Sequence, residues 1–498
     1  MPHRVLSNWT KFFFGLGAVG ETAYMAMFNT FIGIYYNQAV GLSNSLIGTA
    51  ILLALVADAV SDPSVGILSD RWKSKFGRRH PFLFIAPIPL ALGLWMIFNP
   101  PAAITATDTI ESSNGQLSLF AWLAFWSIIT RLALTLYAVP HMALGGELSN
   151  DPRERSQVFS INALIGYTSG AMFTFIAWSV FLSGETTGAD GVAVSNHLKA
   201  SYYGPLTLFA GALILICVSF CAFGTYSRIP YLSQPRKNQE RLSIYLVLGK
   251  IVKTLKNRNY LYLVVGFFFF MVSSGLYETF NVFIATYFWE LKPEEMRWLA
   301  LSFVPGIVVG ASISPKLMHI FDRRPVLIGS IIIALFFAQL AVDLRLLGLF
   351  PENGSPMLLP ALIANTFGFG FGVGMGAVTV PAMLGDIVDQ HDLETGHREE
   401  GLFYSARSFF AKMSFSVAFF IGGIILDYFV RLPFDAVPGQ IPDDVVFRLG
   451  LAAGPVMAVG GIFAVYFYAR YDLNKSQQKE VRRQLQERPP LEQESISI

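Results

Sequence analysis

The chain has 498 residues, of which 53% are hydrophobic and 14% are charged, and its formal net charge is +2. This composition is too apolar for a soluble protein of this length, and the small net charge gives no indication of a nucleic-acid partner. The apolar residues fall in blocks of about 20–30 residues, the length that a helix needs to cross a bilayer. The sequence therefore predicts an all-α integral membrane protein.

Twelve apolar blocks are predicted to be transmembrane helices, at about residues 11–37, 45–69, 81–99, 117–145, 158–183, 203–227, 259–289, 297–320, 325–347, 357–386, 402–430 and 446–471. The segment before the first block is short and polar, and the block is full length, so we do not interpret it as a cleavable signal peptide. Cys217 and Cys221 share one apolar block with no His or acid nearby. We interpret both cysteines as core residues.

Lysine and arginine residues are concentrated in alternate loops. The loops after spans 2, 4, 6, 8 and 10 carry most of them, whereas the loops after spans 1 and 3 carry none. By the positive-inside rule, both termini lie in the cytoplasm. We therefore expect a multi-pass plasma-membrane protein, in the inner membrane if the source is bacterial. The polar tail, residues 474–498, is expected to be disordered or to form a short surface helix.

Two loop patterns recur at an offset of about half the chain. Asp70-Arg71 with Arg78-Arg79 after span 2 is answered by Asp322-Arg323-Arg324 after span 8, and the loop after span 4 is answered more loosely after span 10. We therefore predict two six-helix halves, residues 1–227 and 259–473, joined by a cytoplasmic linker at 228–258.

Acidic and basic residues alternate in these loops, and topology anchoring alone needs no acids. We expect ion-pair networks that hold the halves together at the cytoplasmic end; the alternative is that the charges only anchor the topology. The residues assigned to this cytoplasmic gate are Asp70, Arg71, Arg78, Arg79, Glu147, Arg153, Arg155, Asp322, Arg323, Asp386 and Arg398.

Asp58 and Asp62 lie one helical turn apart in span 2, so they share one face of that helix. Two close carboxylates cannot both stay ionised away from water without a cation. The pair is expected to hold Na⁺ or a proton, or to pair with Lys412, which lies at a similar depth in span 11. This competition would couple cation binding to conformation. The alternatives are a helix-packing polar cluster for the acids and snorkelling for Lys412.

Other polar residues lie inside the apolar blocks. Arg131 either neutralises Asp58 or Asp62, or binds a substrate hydroxyl or carboxylate through its planar guanidinium. Glu21 and Glu278 occupy comparable positions in the first helix of each half, where substrate contact and interhelical hydrogen bonding both stay open. The candidate substrate-binding residues are Glu21, Thr22, Arg131, Tyr137, Tyr277, Glu278, Asn281 and Asn365. For Asn365 an interhelical hydrogen bond is the favoured interpretation.

Three segments resemble motifs of a known family. Asp58-Ala59-Val60-Ser61-Asp62 and the following Gly77-Arg78-Arg79-His80-Pro81 are similar to the helix 2 signature of the glycoside–pentoside–hexuronide:cation symporters, a branch of the major facilitator superfamily. Residues 139–155 resemble that family's helix 4 and loop, and residues 386–412 its helix 10–11 signature. The resemblance covers essentially all twelve helices. It implies the major facilitator fold and alternating-access symport of a sugar with Na⁺, Li⁺ or H⁺.

The resemblance also implies residue roles. Asp58 and Asp62 match the family's cation-site acids, Ser61 stands where melibiose permeases have Asn, Thr135 matches a threonine near that site, and Lys412 matches the helix 11 lysine that is implied to couple.

The substrate positions depart from the melibiose permeases. Thr22 stands in place of a sugar-binding Asp, with Glu21 beside it, and Ala138, Met142 and Ala163 replace an Asp, a Trp and an Arg. The galactoside-binding residues are therefore absent, and the substrate pocket has been rebuilt around retained coupling residues.

We therefore expect a monomeric secondary transporter, not an enzyme, that moves a sugar or glycoside with Na⁺ or H⁺. No cofactor is expected, and no metal beyond a transported Na⁺ at Asp58 and Asp62. The expected partners are a small-molecule substrate and membrane lipid. One alternative is a carrier of lysolipids or other amphiphiles, which would show an apolar lateral opening between helices. The other is a non-transporting membrane sensor, which would carry an added soluble domain.

Overall fold

The computed structural model describes residues 5–105, 112–187, 193–232, 249, 254–396 and 400–487. In that part of the chain, eleven helices are long and apolar enough to cross a membrane. We number them after the first helix, α1 (Asn8–Ala26), as α2 (Asn44–Arg71), α3 (His80–Thr105), α4 (Ser113–Glu147), α5 (Pro152–Phe181), α6 (Ala200–Tyr226), α7 (Arg258–Phe288), α8 (Pro293–Phe321), α9 (Arg323–Leu346), α10 (Leu358–Thr395), α11 (Glu400–Val430) and α12 (Asp443–Tyr468).

The first helix is more polar than the other eleven. α1 contains Lys11, Glu21 and Thr22, and it continues past Ala26 through the π-helical segments Met27–Phe31 and Tyr35–Ala39. The polar residues lower its average hydropathy, yet α1 packs against α5 and α6 like the other helices of the bundle. α1 falls in the first predicted span, residues 11–37, and the eleven apolar helices fall in the other predicted spans.

Helix ends are set by local capping as well as by hydropathy. The side chains of Ser112, Asp151 and Asn257 accept hydrogen bonds from first-turn backbone N–H groups of α4, α5 and α7, at 3.0, 2.9 and 2.9 Å. The prediction ended span 10 near residue 386, but α10 continues to Thr395 and stops at Gly396, whose φ of 77° is left-handed. Hydropathy reports only the membrane-embedded part of a helix, which explains the difference.

A small β-hairpin lies outside the helical bundle. Strands β1 (Glu185–Thr187) and β2 (Ala193–Ser195) pair antiparallel between α5 and α6, with Glu185 opposite Ser195. This hairpin was not predicted, because long apolar blocks do not reveal strands of three residues in a loop; the membrane-spanning fold is all-α as predicted.

Three sets of contacts connect the described parts of the first six helices to those of the last six. Helices α1–α6 pack chiefly on one another, as do α7–α12, while α2 crosses α11, α5 crosses α8, and the Met27–Phe31 continuation of α1 contacts α7. At the α2–α11 crossing, Gly48 faces the backbone of Phe419 and Phe420, and Gly423 faces the backbone of Asn44. Because these glycines have no Cβ, the two backbones approach closely, which brings the acids of α2 within reach of α11.

The two ends of the bundle differ in charge. The basic end is where α2 finishes at Arg71 and α9 begins at Arg323; the opposite end is where α4 begins at Ser113 and α8 at Pro293. A further helix, α13 (Lys475–Glu487), packs against α10 at the basic end. Of the two expectations for the tail, the surface helix is therefore the one observed over these residues.

Candidate functional site

Four charged side chains meet inside the bundle, where α2, α4 and α11 converge. Arg131 Nη1 lies 3.1 Å from Asp58 Oδ2, and Lys412 Nζ lies 2.5 Å from Asp62 Oδ2 and 3.8 Å from Asp58 Oδ2. With all four groups ionised, the two acids and two bases have no net charge. We call these four residues the ion-pair cluster. It joins a helix of the second six to two helices of the first six.

Hydroxyl groups extend the ion-pair cluster. Thr135 Oγ1 donates a hydrogen bond of 2.9 Å to Asp62 Oδ1, and Ser61 Oγ lies 3.4 Å from Thr135 Oγ1. Asp58 Oδ1 is buried and has no hydrogen-bond partner in the described part of the chain. Carboxylate and hydroxyl oxygens are the ligands that hard cations prefer. The set of oxygens is therefore suited to an alkali cation once the lysine moves away.

The two acids differ in access to water. The side chain of Asp58 is 2% exposed, whereas those of Asp62 and Lys412 are 31% and 33% exposed. Asp58 depends on Arg131, whose guanidinium also lies 5.0 Å from the ring centroid of Phe28 on α1. Of the two roles considered for Arg131, the geometry places it in the ion pair with Asp58. Asp62 and Lys412 form the accessible side of the cluster.

A cavity of about 730 Å³ lies beside the cluster, between α1, α5, α7, α8 and α10. Its volume falls within the usual range for small-molecule sites. Five of the predicted substrate residues line it: Glu21, Thr22, Tyr277, Glu278 and Asn281. Glu21 also lies within electrostatic range of Lys412, so the cavity and the ion-pair cluster are neighbours.

The other three substrate candidates do not line this cavity. Arg131 is held at Asp58, and Tyr137 is fully buried with its ring stacked on His141 at a centroid distance of 5.0 Å. Asn365 lines a smaller adjoining cavity of about 50 Å³, together with Tyr277 and Asn281. Thr22 lines the main cavity, but its hydroxyl is already bonded within α1 and to Ser169 at 2.9 Å.

Several cavity residues were missed by the sequence analysis. The cavity is also lined by Asn29 in the π-helical segment that follows α1, Asn162 on α5, Phe303 on α8 and Phe369 on α10. The signal for the two asparagines was available, because an amide inside an apolar block needs a polar surrounding. Nothing local distinguishes the two phenylalanines from the many others in the chain.

Charged residues predicted to form a gate do form networks at the basic end. Arg78 and Arg79 lie 2.8 and 2.9 Å from Glu147 Oε1, and Arg79 also pairs with Asp70. These residues connect α2, α4 and the loop between α2 and α3, all within the first six helices.

A second network at the basic end lies within the last helices of the chain. Arg323 pairs with Asp386, and Arg482 of α13 lies 3.7 Å from Asp386 Oδ1. Asp322 accepts hydrogen bonds from the backbone N–H groups of Arg323 at 2.6 Å and Lys475 at 3.0 Å, and so caps α9 and the start of α13.

The named ion pairs at the basic end therefore stabilise each six-helix set rather than join the two sets, which differs from the predicted latch. Arg71, at the end of α2, and Arg153 and Arg155, in the first turn of α5, are exposed. Arg398 lies outside the described residues.

Hydrogen bonds that join the two sets are found at the opposite end. Asp427 on α11 accepts from the backbone N–H groups of Asn44 and Ser45, at 3.0 and 2.7 Å, at the start of α2. Gln38 Oε1 accepts from Tyr287 Oη at 2.9 Å. His197 Nε2 lies 3.1 Å from Thr286 Oγ1, which ties the loop before α6 to α7. This end is therefore closed by contacts between the sets.

Comparison with known proteins agrees with the geometry. A family model described as MFS/sugar transport protein matches residues 13–475. An uncharacterized symporter of Synechocystis sp., sll1374, is 22% identical over 96% of this chain and 96% of its own length. The putative glycoside/cation symporter YagG of Escherichia coli is 24% identical over 95% of this chain and 94% of its own length.

The fold has close structural counterparts. A bacterial homologue of the human lysosomal transporter Spinster, solved inward-facing and unoccupied, aligns with a TM-score of 0.61 at 11% identity, covering 98% of this chain and 100% of that one. At this identity the likeness concerns the fold alone. The family match, by contrast, spans nearly the whole chain. The chain therefore belongs to the MFS/sugar transport protein family, and the predicted membership in its glycoside–pentoside–hexuronide:cation symporter branch is confirmed.

Proposed function

We propose that this protein moves a sugar or glycoside together with Na⁺ or H⁺ by alternating access, with Asp58, Asp62, Ser61 and Thr135 as the cation site. The observation that carries the proposal is the position of Lys412. Its ammonium group lies 2.5 Å from Asp62 Oδ2 and 3.8 Å from Asp58 Oδ2, in the position that a cation bound to these carboxylates would occupy. A cation and the lysine therefore compete for the same oxygens.

The competition supplies a coupling mechanism. When a cation or proton neutralises Asp62, Lys412 loses its main partner, and the link between α2 and α11 weakens. Glu21 on the cavity wall is another carboxylate within electrostatic range of Lys412. Cation binding thereby changes both the contact between the halves and the charge at the cavity, so it shifts the balance between conformations.

The conformation follows from the location of the contacts between halves. We place the basic end in the cytoplasm by the positive-inside rule. The halves, residues 1–227 and 259–473, then meet at the outer end through the Asp427 and Gln38 hydrogen bonds. We propose that the protein works as a monomer and that this arrangement is its inward-facing state. The 228–258 linker and the 474–498 tail are then assigned to the cytoplasm by the positive-inside rule, although residues 233–248, 250–253 and 488–498 lie outside the described residues.

Counterflow in proteoliposomes tests the proposal. Purified protein is reconstituted with internal unlabelled sugar, and uptake of the labelled sugar is followed for a panel of hexoses, pentoses, glycosides and uronides. Each measurement is repeated with and without a Na⁺ gradient and with and without a pH gradient. We expect exchange of at least one panel member and its accumulation under one of the two gradients. Exchange of a lysolipid with no exchange of any sugar would support the amphiphile carrier instead.

A further inference from the structure

The main cavity has two chemically different walls. The wall formed by α1 with its π-helical continuation, α5 and α7 carries most of the polar lining residues, among apolar ones such as Met25, Trp178 and Val282, and we call it the polar wall. Its polar residues include Glu21, Asn29, Asn162, Thr174, Glu278 and Asn281. The facing wall, formed by α8 and α10, consists of Met296, Leu299, Phe303, Val304, Phe369 and Val373, with Ala300 and a single polar residue, Thr366. Thr366 donates its hydroxyl to Leu362 O at 2.9 Å. A ligand that fills the cavity therefore meets hydrogen-bonding groups on one side only.

The polar wall offers mainly unused acceptors. Asn29 Oδ1 and Asn162 Oδ1 are buried and have no hydrogen-bond partner in the described part of the chain. The Glu278 carboxylate also lines this wall and adds acceptor oxygens. Amide carbonyls and carboxylates accept hydrogen bonds. The polar wall is thus complementary to a ligand rich in hydroxyl donors.

The charge of the cavity discriminates among such ligands. Glu21 and Glu278 are the acids in its lining, and none of the described lining residues is a lysine or an arginine. A carboxylate on the ligand would lie close to these two acids, with no lysine or arginine in the described lining to compensate it, which is unfavourable away from bulk water. The cavity therefore selects against uronides and other anions.

Phe303 and Phe369 of the apolar wall form an aromatic platform together with Tyr277 of α7. The ring centroids of Tyr277 and Phe369 are 4.3 Å apart, and Phe369 stacks on Phe303 at 5.6 Å. Aromatic faces bind apolar surface well. With about 730 Å³ available, the cavity accommodates more than one sugar ring.

We infer that the substrate is an uncharged glycoside, whose sugar ring bonds to the acceptors of α1, α5 and α7 and whose apolar aglycone packs on Phe303 and Phe369. This inference rests on the proposed function and narrows its substrate class. A free sugar fills only the polar side, and a uronide places its carboxylate beside Glu21 and Glu278.

Competition in the counterflow assay tests the inference. For glucose, galactose and xylose, three competitors are compared: the free sugar, the methyl glycoside and the phenyl glycoside. The phenyl glucuronide is added as the charged counterpart of the phenyl glucoside. We expect the phenyl glycoside to compete at a concentration at least about tenfold lower than the free sugar. We expect the phenyl glucuronide to require at least about tenfold more than the phenyl glucoside.

The outcomes separate the two proposals. If sugars exchange but the phenyl glucuronide competes as well as the phenyl glucoside, the charge argument is wrong while the proposed function stands. If free sugars compete as well as phenyl glycosides, the role of the aromatic platform is wrong. If no member of the panel exchanges or competes, the proposed function itself fails.

Two pairs of variants locate the effects. Phe303→Ser is expected to reduce the ratio by which the phenyl glycoside competes better than the free sugar. Phe336→Ser is expected to leave this ratio unchanged, because Phe336 is 54% exposed on the outer face of α9.

Glu278→Gln is expected to lower, several-fold, the ratio by which the phenyl glucoside competes better than the phenyl glucuronide. Asp343→Asn is expected to leave this ratio unchanged, because Asp343 lies on α9 and lines a separate cavity. Glu21→Gln is the second cavity variant should Glu278→Gln not fold. An unchanged glucuronide ratio in the folded cavity variants would contradict the inference.

Discussion

The ammonium nitrogen of Lys412 on α11 lies 2.5 Å from Oδ2 of Asp62 on α2. This ion pair connects the two six-helix sets inside the bundle, beside the cavity. Both side chains are about one-third exposed, so the pair can be reached by water and ions. In the proposed mechanism, cation binding and the relative position of the two sets both depend on this contact.

Neutralising Asp62 should separate exchange from accumulation. In Asp62→Asn, Lys412 loses its 2.5 Å partner and the cation site loses one charge. We expect gradient-driven accumulation to fall by at least about tenfold, the consequence of losing about 1.4 kcal/mol of coupling free energy, while counterflow exchange is largely retained. Accumulation and counterflow are measured in the same proteoliposome preparation. Asp343→Asn serves as the control, and equal loss of both activities in Asp62→Asn would indicate a purely structural role.

Removing Arg131 should destabilise the protein through Asp58. The Asp58 side chain is 2% exposed, and Arg131 is its closest basic partner at 3.1 Å. Arg131→Gln leaves a buried carboxylate largely uncompensated, which costs about 3–5 kcal/mol. We expect a clear drop in the thermal unfolding midpoint in detergent, measured by differential scanning fluorimetry.

The double variant Asp58→Asn/Arg131→Gln checks the cause. Because it removes both charges, it should recover most of the lost midpoint. If the double variant is as unstable as Arg131→Gln, then packing of the arginine against Phe28, rather than its charge, maintains the fold.

Asp427 should hold the opposite end closed. Its two carboxylate oxygens accept from the first N–H groups of α2, where the helix dipole also favours negative charge. Asp427→Asn removes the charge and one acceptor, and the loss of about 1–2 kcal/mol shifts the conformational equilibrium by about tenfold toward opening of that end.

Spin-label distances measure this shift. Labels at Leu117 and Phe434, which are 60% and 50% exposed at the opposite end, report the separation of the two sets after replacement of Cys217 and Cys221. In Asp427→Asn, a larger fraction of the molecules than in the wild type should show a long distance between the two labels. Asp444→Asn is the matched control, since Asp444 pairs with Arg448 of its own helix at 2.7 Å. Identical distance distributions in all three proteins would contradict the prediction.

His197 should make the same end sensitive to acid. Burial lowers the pKa of His197 from 6.5 to about 3, and the neutral ring bonds to Thr286 of the other set. The unfolded chain binds more protons than the folded one between these two pKa values, so stability is complete above pH 6.5 and falls as the pH drops below it. At pH 5 the loss is about 2 kcal/mol.

Thermal unfolding between pH 7.5 and pH 5 checks the sign. The wild-type midpoint should fall more steeply with acid than that of His197→Gln, so the difference between the two proteins narrows as the pH decreases. Parallel profiles would show that His197 does not titrate with unfolding.

The sequence by itself determined eleven apolar spans, the family, and the residues Asp58, Asp62 and Lys412 as partners. Spans are readable because the bilayer imposes length and apolarity locally, and intramembrane charges are so costly that each one in the sequence signals a partner. The opposite-sign residues at similar depth were few enough to pair. Glu21 and Glu278 were likewise identified as intramembrane acids, and Tyr277 and Asn281 as neighbours of Glu278; all four line the cavity.

Only the tertiary structure decided which of the candidate residues belong to the ion-pair cluster, which line the main cavity and which lie elsewhere. Arg131 is held at Asp58, and Asn365 and Tyr137 lie away from the main cavity, because helix rotation determines which face of each helix points inward. The contrast between the polar wall and the apolar wall depends on five helices from both halves. The closure of the opposite end by Asp427 also depends on the tertiary structure, because its partner Ser45 lies 382 residues away in the chain. No local pattern encodes contacts of that separation, since they arise from how the two six-helix sets pack.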